Sequence, residues 1–188
     1  MGLQKERRYS IDVRLKARLV ANGFSHKEVI DYNKIISPVV KHSSSRVLLA
    51  LVAQFYLEQQ HLDVKMSFLH GDLEETIYMD LPEGFLAEGK QNHVCQLMNS
   101  LYGLKQSPRQ WYKRFDAFMS THEFFRTAFD SYVYHKMMSG NCMIYLLLYV
   151  DDMLISSNNI TEINILKKLL SKEFDMKDLR VAKKILGI

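Results

Sequence analysis

Two adjacent carboxylates separate two strongly apolar segments of the chain. Asp151 and Asp152 follow Met143–Val150 and precede Met153–Ile155. Aspartate is common in tight turns, so turn formation is one explanation of the pair. Asp-Asp is nevertheless a poor primed hairpin turn compared with Asn-Gly or Asp-Gly, and adjacent like charges repel unless a cation neutralises them. Metal binding is therefore the other explanation, and the pair alone does not decide between the two.

A third carboxylate, Asp63, lies near the end of the strand-like segment Gln60–Val64. A buried carboxylate is costly without a partner, and carboxylates from different strands would offer the hard oxygen ligands that Mg²⁺ prefers. Two such ions, about 3.5–4 Å apart, can activate an attacking oxygen and stabilise a leaving oxygen. A helix cap or a salt bridge would also account for Asp63, because spacing along the chain does not establish proximity.

The composition is that of a folded globular protein. The 188 residues are 47% hydrophobic and 24% charged, which suits one domain or one domain plus part of a second. The longest apolar run, Cys142–Val150, is far shorter than the roughly 20 residues of a membrane helix, and the first residues contain no secretory apolar region. The two cysteines cannot form a disulfide framework, so we expect reduced thiols in an intracellular protein.

The charge is distributed unevenly along the chain. Residues 1–46 hold 10 Lys or Arg and 4 Asp or Glu, whereas the remainder is slightly acidic, and the whole chain has a net charge of +4. A basic segment favours an anionic partner such as nucleic acid. Charge that serves solubility alone would produce the same distribution.

The spacing of apolar residues predicts a mixture of helices and strands. Ser43–Ser45 would cap a helix over Val47–Tyr56, Ser107-Pro108 would start a second helix, and Asn158–Thr161 would cap a third. The predicted strands are Leu15–Val20, Gln60–Val64, Thr76–Leu81, Val94–Met98, Tyr132–Lys136, Cys142–Val150, Met153–Ser156 and Ile185–Ile188. These elements do not alternate regularly as βαβ units, which favours the α+β fold class.

Several motifs, in the same order along the chain, resemble the reverse transcriptase of copia-type retrotransposons. They are KARLVANGFS, SPVVKHSSSRVLLALVA, LDVKMSFLHGDL, IYMDLPEGF, SLYGLKQSPRQWYKRF, YLLLYVDDMLI and AKKILGI. The resemblance implies a right-hand polymerase whose palm is an antiparallel sheet backed by helices, with a ferredoxin-like core. Fingers would occupy mainly residues 1–46 and about 72–106, and palm the remainder. We expect residues 1–188 to lack the thumb, connection and ribonuclease H regions.

The resemblance also assigns roles at the carboxylates. Asp63, Asp151 and Asp152 match the three catalytic aspartates, and the Val64 carbonyl would join them in binding two Mg²⁺ ions, with Mn²⁺ as an expected substitute. A tight turn for Asp151 and Asp152, and a helix cap or a salt bridge for Asp63, remain alternative explanations of the three carboxylates.

Further residues match positions that contact substrates in the family. The expected nucleotide-binding residues are Lys16, Arg18, Phe68, Tyr102 and Gly103, with Phe68 excluding a ribose 2′-hydroxyl. The expected template or primer contacts are Gln106, Ser107, Arg109, Leu186 and Gly187. Two departures from the family pattern are Met66-Ser67, where Thr-Ala is more frequent, and Arg180, where Gly is usual. A position that needs positive φ would be strained by Arg180.

The expected function is RNA-directed DNA polymerisation, with deoxynucleoside triphosphates and a primed RNA or DNA template as partners. By family, the location would be a cytoplasmic virus-like particle or the nucleus, without a membrane. Two alternatives are a non-catalytic nucleic-acid-binding remnant of a decayed element and a metal-dependent phosphohydrolase. Primer extension with Mg²⁺ separates the polymerase from the non-catalytic remnant, and a phosphohydrolase would release phosphate from nucleotides without any template.

Overall fold

The structure is a computed structural model that describes residues 2–6, 14–21, 39–81, 84–85, 93–138, 140 and 142–181. The chain forms two compact units. The first unit comprises Met1–Ile36 and Phe68–Trp111, and the second comprises Ser37–Ser67 and Tyr112–Ile188. The chain therefore passes between the units three times.

The elements form a mixture of helices and antiparallel strands. The helices are α1 (His42–Phe55), α2 (Ser107–Thr121) and α3 (Ile160–Glu173), and Ser67–His70 forms a 3-10 turn. The strands are β1 (Gly2–Glu6), β2 (Arg14–Arg18), β3 (Glu58–Val64), β4 (Tyr78–Asp80), β5 (Val94–Gln96), β6 (Phe125–Arg126), β7 (Val133–Met138), β8 (Cys142–Tyr149), β9 (Asp152–Ser157) and β10 (Met176–Val181). The predicted α+β fold class is confirmed.

The second unit is built on a six-stranded antiparallel sheet in the order β10-β3-β9-β8-β7-β6. Successive residues of a strand point to opposite faces, and residues paired across strands share a face. On one face, Leu146 and Tyr134 are paired and the ring centroid of Phe115 in α2 lies 5.7 Å from that of Tyr134. Lys167 in α3 donates to Gln60 on the same face at 3.3 Å. Helices α2 and α3 therefore cover one face of the sheet.

The opposite face carries α1. Leu48 of α1 packs with Val133, Leu147 and Leu154 of the sheet, and with Val40 just before the helix. We call this the α1 face of the sheet. Asp152 and Leu154 are two residues apart in β9, so Asp152 belongs to the α1 face as well.

The prediction that Ser43–Ser45 cap the first helix is wrong. The helix begins at His42, so the serines lie in its first turn, and Lys41 occupies the N-cap without a side-chain capping bond. The carboxylate of Asp130 takes the capping role instead, accepting from the Lys41 backbone N–H at 2.9 Å and from the Ser44 hydroxyl at 2.6 Å. Asp130 is 5% exposed, and these hydrogen bonds offset the cost of burying its carboxylate.

Most of the other predicted elements are confirmed with small shifts of their ends. Strands β4 and β5 pair with each other, and β7 pairs with β8. Asn159 caps α3 by accepting from the Thr161 backbone N–H at 2.9 Å. The predicted strand Ile185–Ile188 lies outside the described residues, and so do two residues of the β7–β8 connection. Of the helices in the described ranges, none has the length and apolar character to span a membrane.

Candidate active site

The turn between β8 and β9 brings the three predicted aspartates to one corner of the sheet. Strand β3 pairs with β9 so that Asp63 lies directly opposite Asp152. Asp151 stands in the adjoining turn, and its carbonyl accepts a hydrogen bond from the Val64 backbone N–H at 2.8 Å. All three aspartates are partly exposed, which leaves their carboxylates accessible to solvent and ions.

The turn itself differs from the one that the sequence suggested. Tyr149 pairs with Asp152, so the two central residues of the turn are Val150 and Asp151, and Asp152 is already the first residue of β9. Val150 has a φ of 58°, which is an outlier for a β-branched residue. Positive φ at the first central position is normally supplied by Gly, and such strain costs about 1–3 kcal/mol. The turn that positions Asp151 is therefore held in a strained conformation.

Asp63 has a charged residue directly opposite it on each of the two neighbouring strands. Asp63 and Asp152 share the α1 face, and carboxylates directly opposite each other on neighbouring strands are destabilising. On the other side of Asp63, strand β10 places Lys177 directly opposite. His61 also contacts this carboxylate pair, with 2.8 Å between its Nε2 atom and Oδ1 of Asp152. His61 thus gives this carboxylate pair a hydrogen-bonding neighbour, and the register of β10 adds a cationic residue opposite Asp63.

The donor atoms at this corner are chemically suited to Mg²⁺. They are carboxylate oxygens of Asp63, Asp151 and Asp152, with the Val64 carbonyl nearby in sequence, and Mg²⁺ prefers such hard oxygen ligands. In the part of the chain that the structure describes, no group of three or more His, Cys, Asp or Glu side chains is arranged so that it could hold a metal ion. Mg²⁺ usually takes its remaining ligands from water and substrate phosphates, so one or two carboxylates per ion are sufficient.

In the first unit, three of the predicted nucleotide-binding residues lie together. The ring centroids of Phe68 and Tyr102 are 5.0 Å apart, and the guanidinium carbon of Arg18 lies 5.8 Å from the Tyr102 ring centroid. Arg18 is exposed, so its guanidinium is accessible to an anion. The backbone of Lys16 pairs with Gln4 in the β1–β2 hairpin, but its side chain lies outside what the structure describes.

Gly103 is required by a close approach between two backbone segments. Its φ is 93°, and a Cβ atom there would lie 2.0 Å from the carbonyl oxygen of Ala21. The Ala21 backbone N–H donates to the Tyr102 carbonyl at 2.7 Å, which fixes the approach. Glycine at this position therefore has a structural explanation in the approach of Ala21, and the expected nucleotide contact of Gly103 stays a prediction.

The predicted template contacts fall in different surroundings. Gln106 and Ser107 are 2% and 0% exposed. The Ser107 hydroxyl donates to the Leu101 carbonyl at 2.6 Å and accepts from the Ser100 hydroxyl at 2.6 Å, which ties this loop together. A template contact by either residue stays a prediction that this burial does not favour. Arg109 is partly exposed, whereas Leu186 and Gly187 lie outside the described residues.

Sequence reasoning missed His61 as a neighbour of the aspartates. His61 and Asp63 are two residues apart in β3 and therefore share a face. This period was visible in the sequence, but the contact with Asp152 depends on how β3 pairs with β9.

Comparison with known proteins agrees with the motifs. Residues 3–188 match the family described as reverse transcriptase (RNA-dependent DNA polymerase). The retrovirus-related Pol polyprotein from transposon TNT 1-94 of Nicotiana tabacum is 56% identical over 94% of this chain, and the alignment covers 13% of that polyprotein. The corresponding polyprotein from transposon RE1 of Arabidopsis thaliana is 37% identical over 93% of this chain and 12% of its own length.

The chain thus spans only about an eighth of the length of these curated relatives. No solved structure matches it. Because the family match extends over nearly every residue and the most similar relatives named here are Pol polyproteins of plant transposons, this chain belongs to the reverse transcriptase (RNA-dependent DNA polymerase) family, as a copia-type reverse transcriptase region.

Proposed function

We propose that this chain forms the fingers and palm of an RNA-directed DNA polymerase of a copia-type retrotransposon. The second unit, with its six-stranded sheet, would be the palm, and the first unit would supply the fingers. One observation carries the proposal: Asp63 lies directly opposite Asp152, and Asp151 stands in the adjoining turn. This juxtaposition brings together carboxylates that are about 90 residues apart in the sequence of a reverse transcriptase family member.

In the proposed reaction, Asp63 and Asp151 would hold two Mg²⁺ ions, supported by Asp152 and the Val64 carbonyl. When bound, the ions would lower the pKa of the primer 3′-hydroxyl and neutralise charge on the nucleotide phosphates. The aspartates contribute by position, because the sheet fixes Asp63 and Asp152 while the strained turn fixes Asp151. Such positioning accounts for much of the catalysis in phosphoryl transfer.

The first unit would bind the incoming deoxynucleoside triphosphate. Arg18 is suited to its phosphates because the planar guanidinium can donate two parallel hydrogen bonds to phosphate oxygens. Phe68 would stand against the sugar, where an aromatic ring leaves no room for a ribose 2′-hydroxyl. Phe68 and Arg18 both lie close to the ring of Tyr102, which supports a shared role for the three residues.

Primer extension on a primed RNA template with Mg²⁺ tests this function. Asp151→Asn keeps the size of the side chain, removes its charge and should abolish extension while sparing the fold, because it relieves repulsion between carboxylates. The matched control is Asp80→Asn, at an exposed carboxylate in strand β4 of the first unit. The control should extend a primer as the parent does.

Three other outcomes would contradict the proposal. Equal extension by Asp151→Asn and the parent would remove Asp151 from the reaction. Template binding by the parent without extension would favour a non-catalytic nucleic-acid-binding protein. Release of phosphate from nucleotides in the absence of template would favour a phosphohydrolase.

A further inference from the structure

We propose that His61 is a positioning residue that holds Asp152 for metal binding, an inference that rests on the proposed function. His61 is separate from the residues that the family motifs single out. Its Nε2 atom lies 2.8 Å from Oδ1 of Asp152, which is within the usual donor–acceptor distance of a hydrogen bond. The His61 side chain is 16% exposed and the Asp152 side chain is 37% exposed, so the contact is partly shielded from water.

The contact follows from the register of two strands. Asp63 pairs with Asp152, and His61 pairs with Leu154, so His61 and Asp152 are diagonal neighbours on the α1 face. Diagonal neighbours lie within reach of long and aromatic side chains. A shift of the register by one residue would send His61 and Asp63 to the other face together. The pairing of β3 with β9 therefore sets both the carboxylate pair and its histidine neighbour.

The chemistry of the two groups fixes the direction of the hydrogen bond. An ionised carboxylate can only accept, so the N–H on Nε2 of His61 donates to Asp152. This bond engages one oxygen of Asp152 and leaves the other oxygen to meet a metal ion. His61 thereby limits the rotation of the Asp152 carboxylate, which is repelled by Asp63 on the neighbouring strand. Residues that hold metal ligands in this way commonly change metal affinity when they are replaced.

A purely structural role is the competing explanation, because the bond also joins β3 to β9. The two roles differ in what a replacement must preserve. Glutamine can place an amide N–H close to the position of the imidazole Nε2–H, whereas asparagine is too short and places its amide near Nδ1. His61→Gln and His61→Asn are therefore a matched pair in polarity that differs in reach.

The test measures Mn²⁺ binding by electron paramagnetic resonance on the full 188-residue chain, without nucleotide or template. We expect His61→Asn and His61→Leu to weaken Mn²⁺ binding by about 10–100-fold, the usual effect of losing a residue that orients a metal ligand. His61→Gln should bind Mn²⁺ nearly as the parent does. In an Asp152→Asn background, His61→Asn should cause no further loss, because the group that it positions is gone.

The control is His135→Asn, on the same face of the sheet but in β7, two strands away from β9. It should leave Mn²⁺ binding unchanged. Unfolding temperatures, measured in parallel without metal, identify the folded variants, and the His61→Gln and His61→Asn comparison stands even if His61→Leu does not fold.

Equal Mn²⁺ affinity of His61→Asn and the parent would overturn the proposal. So would a loss of affinity from His61→Asn in the Asp152→Asn background as large as its loss in the parent background, or a parent that binds no Mn²⁺. Primer extension separates this inference from the proposed function. A parent whose Mn²⁺ binding depends on His61 and Asp152 but which extends no primer would refute the polymerase and retain the positioning role. A parent that extends a primer, with Mn²⁺ binding indifferent to His61, would do the reverse.

Discussion

Replacing Arg180 by glycine should stabilise the second unit. Arg180 lies in β10 with a φ of 66°, immediately after a register shift in the pairing of β10 with β3. Left-handed backbone is unfavourable for a residue with a Cβ atom and costs nothing sterically for glycine. Glycine is usual at this position in the family, and the positive φ of Arg180 explains that preference.

The magnitude follows from opposing terms. Relief of the left-handed conformation is worth about 1–2 kcal/mol, whereas the greater freedom of glycine in the unfolded chain costs about 0.5–1 kcal/mol. The hydrogen bond from the Arg180 backbone N–H to Asp178 Oδ1, at 2.8 Å, does not involve the side chain and is kept. Arg180 is exposed, so its loss removes little packing. We expect a net gain of about 0.5–1 kcal/mol in the free energy of unfolding.

Urea-induced unfolding of the 188-residue chain, followed by circular dichroism, measures this difference. Arg180→Ala is the matched control, because it removes the guanidinium but keeps the Cβ atom and the strain. We expect Arg180→Gly to raise the urea midpoint and Arg180→Ala to leave it near the parent value. Equal stabilisation by both variants would assign the effect to charge, and no gain in Arg180→Gly would refute the strain argument.

Three further changes have definite expected outcomes. Gly103→Ala should lower the free energy of unfolding in chemical denaturation, because its Cβ atom would lie 2.0 Å from the Ala21 carbonyl oxygen; unchanged stability would show that the segments separate freely. Phe68→Ala should increase ribonucleotide incorporation relative to deoxynucleotide incorporation more than Phe68→Val does, and unchanged sugar discrimination in a folded variant would return Phe68 to a packing role. Burial raises the pKa of Asp178, but hydrogen bonds, chiefly from Lys167, outweigh it and hold that pKa below its ordinary value. The resulting stabilisation is present above the unfolded-state pKa and is lost as the pH falls through the lower folded-state pKa. Asp178→Asn should therefore lose less stability to urea than the parent does when the pH is lowered. An identical dependence of the urea midpoint on pH in both proteins would contradict this coupling.

The elements of the second unit were largely predictable because their apolar periodicity is strong. The details of the turn were not, since the ends of strands depend on pairing. In β8 and β9, Leu148 pairs with Met153, and both are buried. This pairing makes Tyr149 and Asp152 the last partners and leaves Val150 in the turn, a position that a local search for turn residues would not assign to valine.

Contacts between distant segments could not be predicted from the sequence either, because they depend on how the strands pair. Asp130 caps α1 through Lys41 and Ser44, which are 89 and 86 residues away, so no local capping pattern reveals it. The three serines at the expected start of the helix predicted a local N-cap, but they lie inside its first turn. His61 and Asp152 are 91 residues apart and meet only through the register of β3 and β9.

The position of β3 in the sheet also determines when the active corner can form during synthesis. Strand β3 lies between β9 and β10, both of which are made much later than β3 itself. At about 5–20 residues per second, a ribosome needs about 5–20 s to proceed from the end of β3 to the end of β9. Throughout that interval the apolar residues Leu62 and Val64 lack the neighbours that bury them, and both edges of the strand can pair with other chains. Translation that stops between β3 and β9 would therefore yield an aggregation-prone peptide rather than a partly active enzyme.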